Sequence, residues 1–97
     1  MTTVSVSDIL YVEAVNHSAA ARTAYRDIPC GMTLSAVESK LKPYGFFRCH
    51  AGFLVNLARV EQVTATDAII AGRPVPVSRH RRRDLMQAIT AWWGKNI

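Results

Sequence analysis

The sequence predicts a mainly β domain carrying one or two short helices. Short apolar runs rich in β-branched and aromatic residues recur along the chain, and only two stretches place apolar residues at helical spacing. No repeat, linker or low-complexity tract interrupts them, so the pieces belong to one architecture.

Taken in order, the expected strands are Ile9 to Val12, Phe46 to Val55, Val60 to Thr64, Ala68 to Ala71 and Val75 to Val77. In the last of these, Val75 and Val77 alternate with Pro74 and Pro76, which lack the N–H that a ladder needs. That strand is therefore expected at a sheet edge, after a turn at Gly72 and Arg73. Thr33 to Leu41 sets Leu34, Val37 and Leu41 at helical spacing, with Thr33 or Ser35 as N-cap, Glu38 three residues after Ser35, and Pro43 as a stop. A second helix is expected after residue 79, where Leu85, Ile89, Trp92 and Trp93 form an apolar stripe, with Ser78 as N-cap and Gly94 as a stop.

A length of 97 residues suits a single domain spanning 1–97, because two halves would each be too small to bury a core without metal or disulfide staples. Apolar residues make up 49% and charged residues 20%, enough burial for the chain to fold. Uncharged runs reach only about half the length of a membrane-spanning helix, and the first charged residue is the acidic Asp8. Neither a membrane anchor nor a signal peptide is expected. Cys30 and Cys49 are too few for a disulfide framework and lack zinc-finger spacing, which fits a reducing cytoplasm.

The net charge of +5 is concentrated in one place. Arg73, Arg79, Arg81, Arg82 and Arg83 lie within eleven residues that contain no acid, while the remaining basic and acidic residues balance. Such a segment attracts a polyanion. Moreover, Ser78-Arg79-His80-Arg81-Arg82-Arg83 stands at the start of the second helix, where the macrodipole disfavours cations. Local stability does not account for it, whereas helix-terminal amides plus guanidinium forks suit phosphate, and Arg can also pair bidentately with guanine. The competing reading is a solvated basic face on a surface helix.

In Phe46-Phe47-Arg48-Cys49-His50-Ala51-Gly52-Phe53-Leu54-Val55-Asn56, strand alternation sets Phe47 and Cys49 on one face and Arg48 with His50 on the other. An Arg and a His side by side on an otherwise apolar stretch favour a wet or ligand-bound face. The alternative is that His50 bonds backbone and holds a turn.

This stretch resembles the hallmark of the LytTR family: an aromatic, Arg-x-His, two small or polar residues, an apolar triplet and Asn. Asp8 to Ala14 resembles the family's opening acidic-apolar-Glu strand, Met32 to Leu41 its Leu-bearing helix, and Val75 to Leu85 its closing strand and Ser-Arg turn. The resemblance covers about residues 8 to 88. It implies an elongated antiparallel β sandwich that presents loops to successive major grooves of double-stranded DNA and regulates bacterial transcription. Carried over by position, the DNA-binding places are Asn16, His17 and Ser18, then Arg48 and His50, then Arg79, His80 and Arg81. Their chemistry suits the task, since Asn pairs with adenine and Arg with guanine or phosphate. Ala51 departs from the family's pattern, in which a polar or basic residue often follows the His. Asn56 fits the hallmark and is assigned a structural role.

Other classes find less support. Cys49 and His50 are neighbours on a strand and point apart, so no nucleophile dyad forms and no enzyme is expected. No metal is expected, because no pair among the His and Cys residues has ligand spacing, and no other cofactor, membrane or small-molecule partner is expected either. RNA binding lacks the clustered aromatics of a stacking platform. The two basic neighbours of Cys49 favour a lowered thiol pKa and a redox response, but the preferred reading is a buried small hydrophobe, the commoner state of a free cysteine. A protein-interaction or dimerisation module using the Trp-bearing helix is the alternative function, and a homodimer on repeated half-sites is compatible with the DNA-binding one.

Overall fold

The computed structural model describes residues 4–96. In them, β1 (Ile9–Val15), β2 (Ser18–Thr23) and β3 (Asp27–Pro29) precede α1 (Leu34–Leu41). Then come β4 (Phe46–His50), β5 (Phe53–Asn56), β6 (Val60–Val63), β7 (Asp67–Ile70), β8 (Arg73–Pro76) and α2 (Arg82–Asn96). All pairings are antiparallel. A five-stranded sheet has the order β3-β2-β1-β5-β4, and a three-stranded sheet the order β6-β7-β8. The mainly β sandwich expected from the sequence is therefore present, and β8 lies at an edge, as its prolines require.

Two apolar clusters hold the layers. On one face of the large sheet, Val12, Ala19, Ala21, Phe46 and Leu54 pack beneath Leu34 and Val37 of α1. On the other face, Leu10, Cys49 and Val55 meet Val60, Ala68, Ile70 and Val75 of the small sheet and Leu85 of α2. Phe47, Phe53, Ile89 and Trp92 complete that second cluster from its margin. Burying the Val, Leu, Ile and Phe side chains among these stabilises each by about 1.5 to 3 kcal/mol relative to leaving it exposed.

Several boundaries differ from expectation for physical reasons. The long run from Phe46 to Val55 is two strands, folded at Ala51 and Gly52. Strands β2 and β3 were not expected at all. β2 is built from Ser18-Ala19-Ala20-Ala21-Arg22-Thr23, whose three alanines are disfavoured in strands, and alternate side chains, Ala19, Ala21 and Thr23, are buried. The β7–β8 turn falls at Ala71 and Gly72, one residue earlier than expected, and both have positive φ (51° and 74°), the geometry that closes two-residue hairpins.

The first helix starts as the sequence indicates, with Thr33 Oγ1 accepting from the Ala36 N–H at 3.2 Å. The second does not. A 3-10 turn at Arg79–Arg81 precedes α2, Ser78 makes no side-chain cap, and the helix runs past Gly94 to Asn96. Trp92 closes the core of this chain by lying over Gly45, where an added Cβ would stand 2.5 Å from its ring. Trp93 instead is half-exposed. Asn56 is structural: its Nδ2 donates to Ile9 O at 2.9 Å and its Oδ1 accepts from Ala58 N at 3.2 Å, joining the ends of β5 and β1.

Candidate nucleic-acid interface

Three segments singled out by the sequence converge on one end of the large sheet. Because β1 runs antiparallel to both β2 and β5, the β1–β2 turn and the β4–β5 turn lie at the same end. The Ala14 N–H donates to Gly52 O at 2.9 Å between them. The basic segment is fastened to the outer strand of that sheet, where the Ser78 N–H donates to Cys49 O at 2.8 Å and Arg81 Nε donates to Arg48 O at 3.1 Å.

At the first turn, Asn16 and His17 both have positive φ (46° and 65°) and are exposed. Non-glycine residues are costly there, and Asn and His are among the side chains that tolerate it best. Ser18, partly buried, donates its hydroxyl to Met32 O at 3.4 Å, so it anchors the turn to the loop before α1.

At the second turn the expected alternation fails. A β-bulge between Arg48 and His50 sets Arg48 opposite Leu54 but His50 opposite Phe53. Leu54 and Phe53 are neighbours on a regular strand and face opposite ways, so Arg48 and His50 lie on opposite faces of the sheet. The His50 ring meets Phe53 edge-on at 5.6 Å, and its Nδ1 accepts from the Gly52 N–H at 3.0 Å. In the neutral ring the proton then sits on Nε2, which becomes a donor. Arg48 turns toward α1, pairing with Glu38 at 3.1 Å and Ser35 at 3.2 Å and donating to the carbonyls of His50 and Ala51. The sequence marked Glu38 and Ser35 only as capping candidates for α1 and not as partners of Arg48, which they meet across ten and thirteen residues.

The third segment is divided in its use of cations. Arg81 lies over the Phe47 ring at 4.7 Å and pairs with Asp84 at 3.5 Å, and Arg82 Nε donates to Thr64 O at 2.9 Å. Arg79, His80 and Arg83 are exposed. Among the described residues their side chains have no partner. The run thus has an inner pair that fixes it and an outer set that faces water. Arg83 belongs to that outer set, and its place in the basic run was the available signal.

The same bulge removes the alternation argument against a Cys49–His50 pair, yet the two side chains bond elsewhere. The Cys49 Sγ–H is directed at Pro76 O, 3.5 Å away. Cys49 is the buried small hydrophobe preferred from the sequence, and its basic neighbours do not lower its pKa: burial raises the thiol to about 11, outweighing a backbone hydrogen bond and the Arg81 charge, which act downward. A thiol held neutral in the fold binds its proton more tightly than in the unfolded chain. Stability from this source is full below about pH 9 and falls as pH rises toward 11. Urea midpoints of the protein and of Cys49→Ala between pH 8 and 11 are expected to fall more steeply for the unsubstituted chain. Parallel curves would show that Cys49 does not titrate this way.

A family model described as the LytTr DNA-binding domain matches residues 1–90. Transcriptional regulatory protein YpdB of Escherichia coli K12 is 34% identical over 58 residues, 60% of this chain and 24% of that protein. The CO-responsive transcriptional regulator RcoM of Rhodospirillum rubrum is 33% identical over 57 residues, 59% of this chain and 24% of that protein. The aligned part is thus about a quarter of the length of these relatives. Among solved structures, the LytTr DNA-binding domain of a putative methyl-accepting/DNA response regulator from Bacillus cereus superposes with a TM-score of 0.79 at 22% identity, covering 89% of this chain and 84% of that one.

Proposed function

Because the chain belongs to the LytTr DNA-binding domain family, we propose that it binds double-stranded DNA sequence-specifically and regulates transcription, presenting loops to successive major grooves on one face of the duplex. The convergence of the β1–β2 turn, the β4–β5 turn and the Arg79 segment on one end carries this reading. The loops divide the work. Asn16, His17 and the Nε2–H of His50 offer hydrogen bonds to base edges, and Arg79 and Arg83 offer charge to phosphate or guanine. Ser18 and Arg81 hold their loops in place by the bonds described above.

Selection from random duplexes at stated salt tests binding and preference together. A single enriched motif is expected; recovery of unrelated sequences, or preference for single strands in competition, would sink the reading. Salt dependence checks the electrostatic part. Each phosphate neutralised contributes about −0.9 to the slope of log K against log salt. Replacing Arg79 and Arg83 together by Ala is expected to make that slope shallower by about two. An unchanged slope would mean that neither guanidinium meets the backbone.

A further inference from the structure

We infer that Glu38, on α1, is a positioning residue for DNA binding that acts through Arg48 on the β4–β5 turn; the inference rests on the DNA-binding reading above. Arg48 was expected from the sequence to face DNA. A guanidinium has five N–H donors, and four from Arg48 are engaged within the chain: with His50 O at 3.4 Å, Ala51 O, Ser35 Oγ at 3.2 Å and Glu38 Oε1 at 3.1 Å. The fork therefore grips both carbonyls of the turn from one side while Glu38 and Ser35 hold it from the other.

The turn so gripped is the one that aims His50. Its next amide, Gly52 N–H, bonds His50 Nδ1 and thereby fixes the ring and leaves Nε2 as the donor. The line of contact runs from Glu38 to the Arg48 guanidinium, to the His50 and Ala51 carbonyls, and to the imidazole. Without Glu38 the guanidinium loses its anion, and water competes for the N–H groups that hold the turn. Glu38 itself need not touch DNA, and it sits on the helix covering the opposite face of the sheet from Phe53.

Bulk electrostatics gives the opposite expectation, which makes the test discriminating. Removing an acid from a chain of net charge +5 should, by charge alone, tighten its hold on a polyanion. Positioning instead requires that Glu38→Ala weaken binding to the selected duplex about tenfold, with an unchanged salt slope. Sequence preference should relax at the base positions that His50→Ala also relaxes and stay intact at those governed by Arg79. Glu38→Gln, which keeps an acceptor oxygen at the same reach, should recover part of the affinity. The Glu38→Ala/Arg48→Ala double variant should bind no more weakly than Arg48→Ala alone. Equal or tighter binding by Glu38→Ala overturns the inference, as does a salt slope that Arg48→Ala makes shallower by about one, the mark of a phosphate contact. If the unsubstituted chain binds no duplex, the functional reading fails first and this inference with it.

Discussion

Replacing Arg79 by Ala is expected to weaken binding to the preferred duplex by roughly 1 to 3 kcal/mol, about tenfold to a hundredfold, while leaving the melting temperature unchanged. The separation of the two effects follows from the structure. Arg79 is exposed, and its guanidinium has no partner among the described residues, so its loss removes nothing from the fold. Arg81→Ala is the contrast, because it forfeits the bond to Arg48 O, the contact with Phe47 and the pair with Asp84, and so lowers stability as well as affinity. The pattern of loss then assigns the role of Arg79. Relaxed preference at one base position marks direct pairing with a base, whereas equal loss on every duplex marks a phosphate clamp. An Arg79→Ala protein that binds as tightly as the parent would remove this segment from the interface.

Gly45→Ala is expected to cost about 3 kcal/mol of folding stability, from two additive causes. Gly45 has φ of 83°, where an L side chain pays about 1 to 2 kcal/mol. Its Cβ would also lie 2.5 Å from the Trp92 ring, and relieving that overlap adds about 1 to 3 kcal/mol. Gly72→Ala separates the terms, since φ there is 74° but nothing lies within 4 Å of the added carbon. A melting temperature at least about 10 °C lower for Gly45→Ala is expected, with a clearly smaller drop for Gly72→Ala. Equal drops would show that Trp92 yields without cost, and the docking of α2 would have to be ascribed to Leu85 and Ile89 alone.

What could be read in the sequence was what periodicity and charge encode locally. The amphipathic α1, the edge position of β8 and the clustering of cations before α2 all followed from residue types at short spacing. β2 escaped notice because its buried positions (Ala19, Ala21, Thr23) and the intervening ones (Ser18, Ala20, Arg22) differ little in side-chain hydrophobicity, and the burial of Ala19 and Ala21 comes from α1 packing close over them. The bulge after Arg48 was equally hidden. One extra residue in β4 leaves the residue types unchanged yet moves His50 to the other face. Thus the segments of the candidate interface were legible and the aim of each side chain was not. Arg48, prominent in the sequence as an exposed cation, is turned onto Glu38 by a contact only the tertiary structure brings about. For Cys49 the sequence neighbours suggested nearby positive charge, but burial by the small sheet sets its proton affinity, as the preferred reading of a buried small hydrophobe implies.

The order of the large sheet also bears on how fast the domain forms. Every strand pairing except one joins strands consecutive in the chain, and such hairpins close within microseconds. The exception, β1 with β5, must bring together segments about forty residues apart, and loop-closure entropy makes it slower to form than the hairpins. That same pairing sets the β1–β2 turn beside the β4–β5 turn. In a chain that has only its hairpins the two turns are therefore not yet side by side, and they meet when the β1–β5 seam forms. Substitutions in the β1–β5 seam, at Val12 or Leu54, are in consequence the ones through which folding rate and the time at which binding first appears should change together.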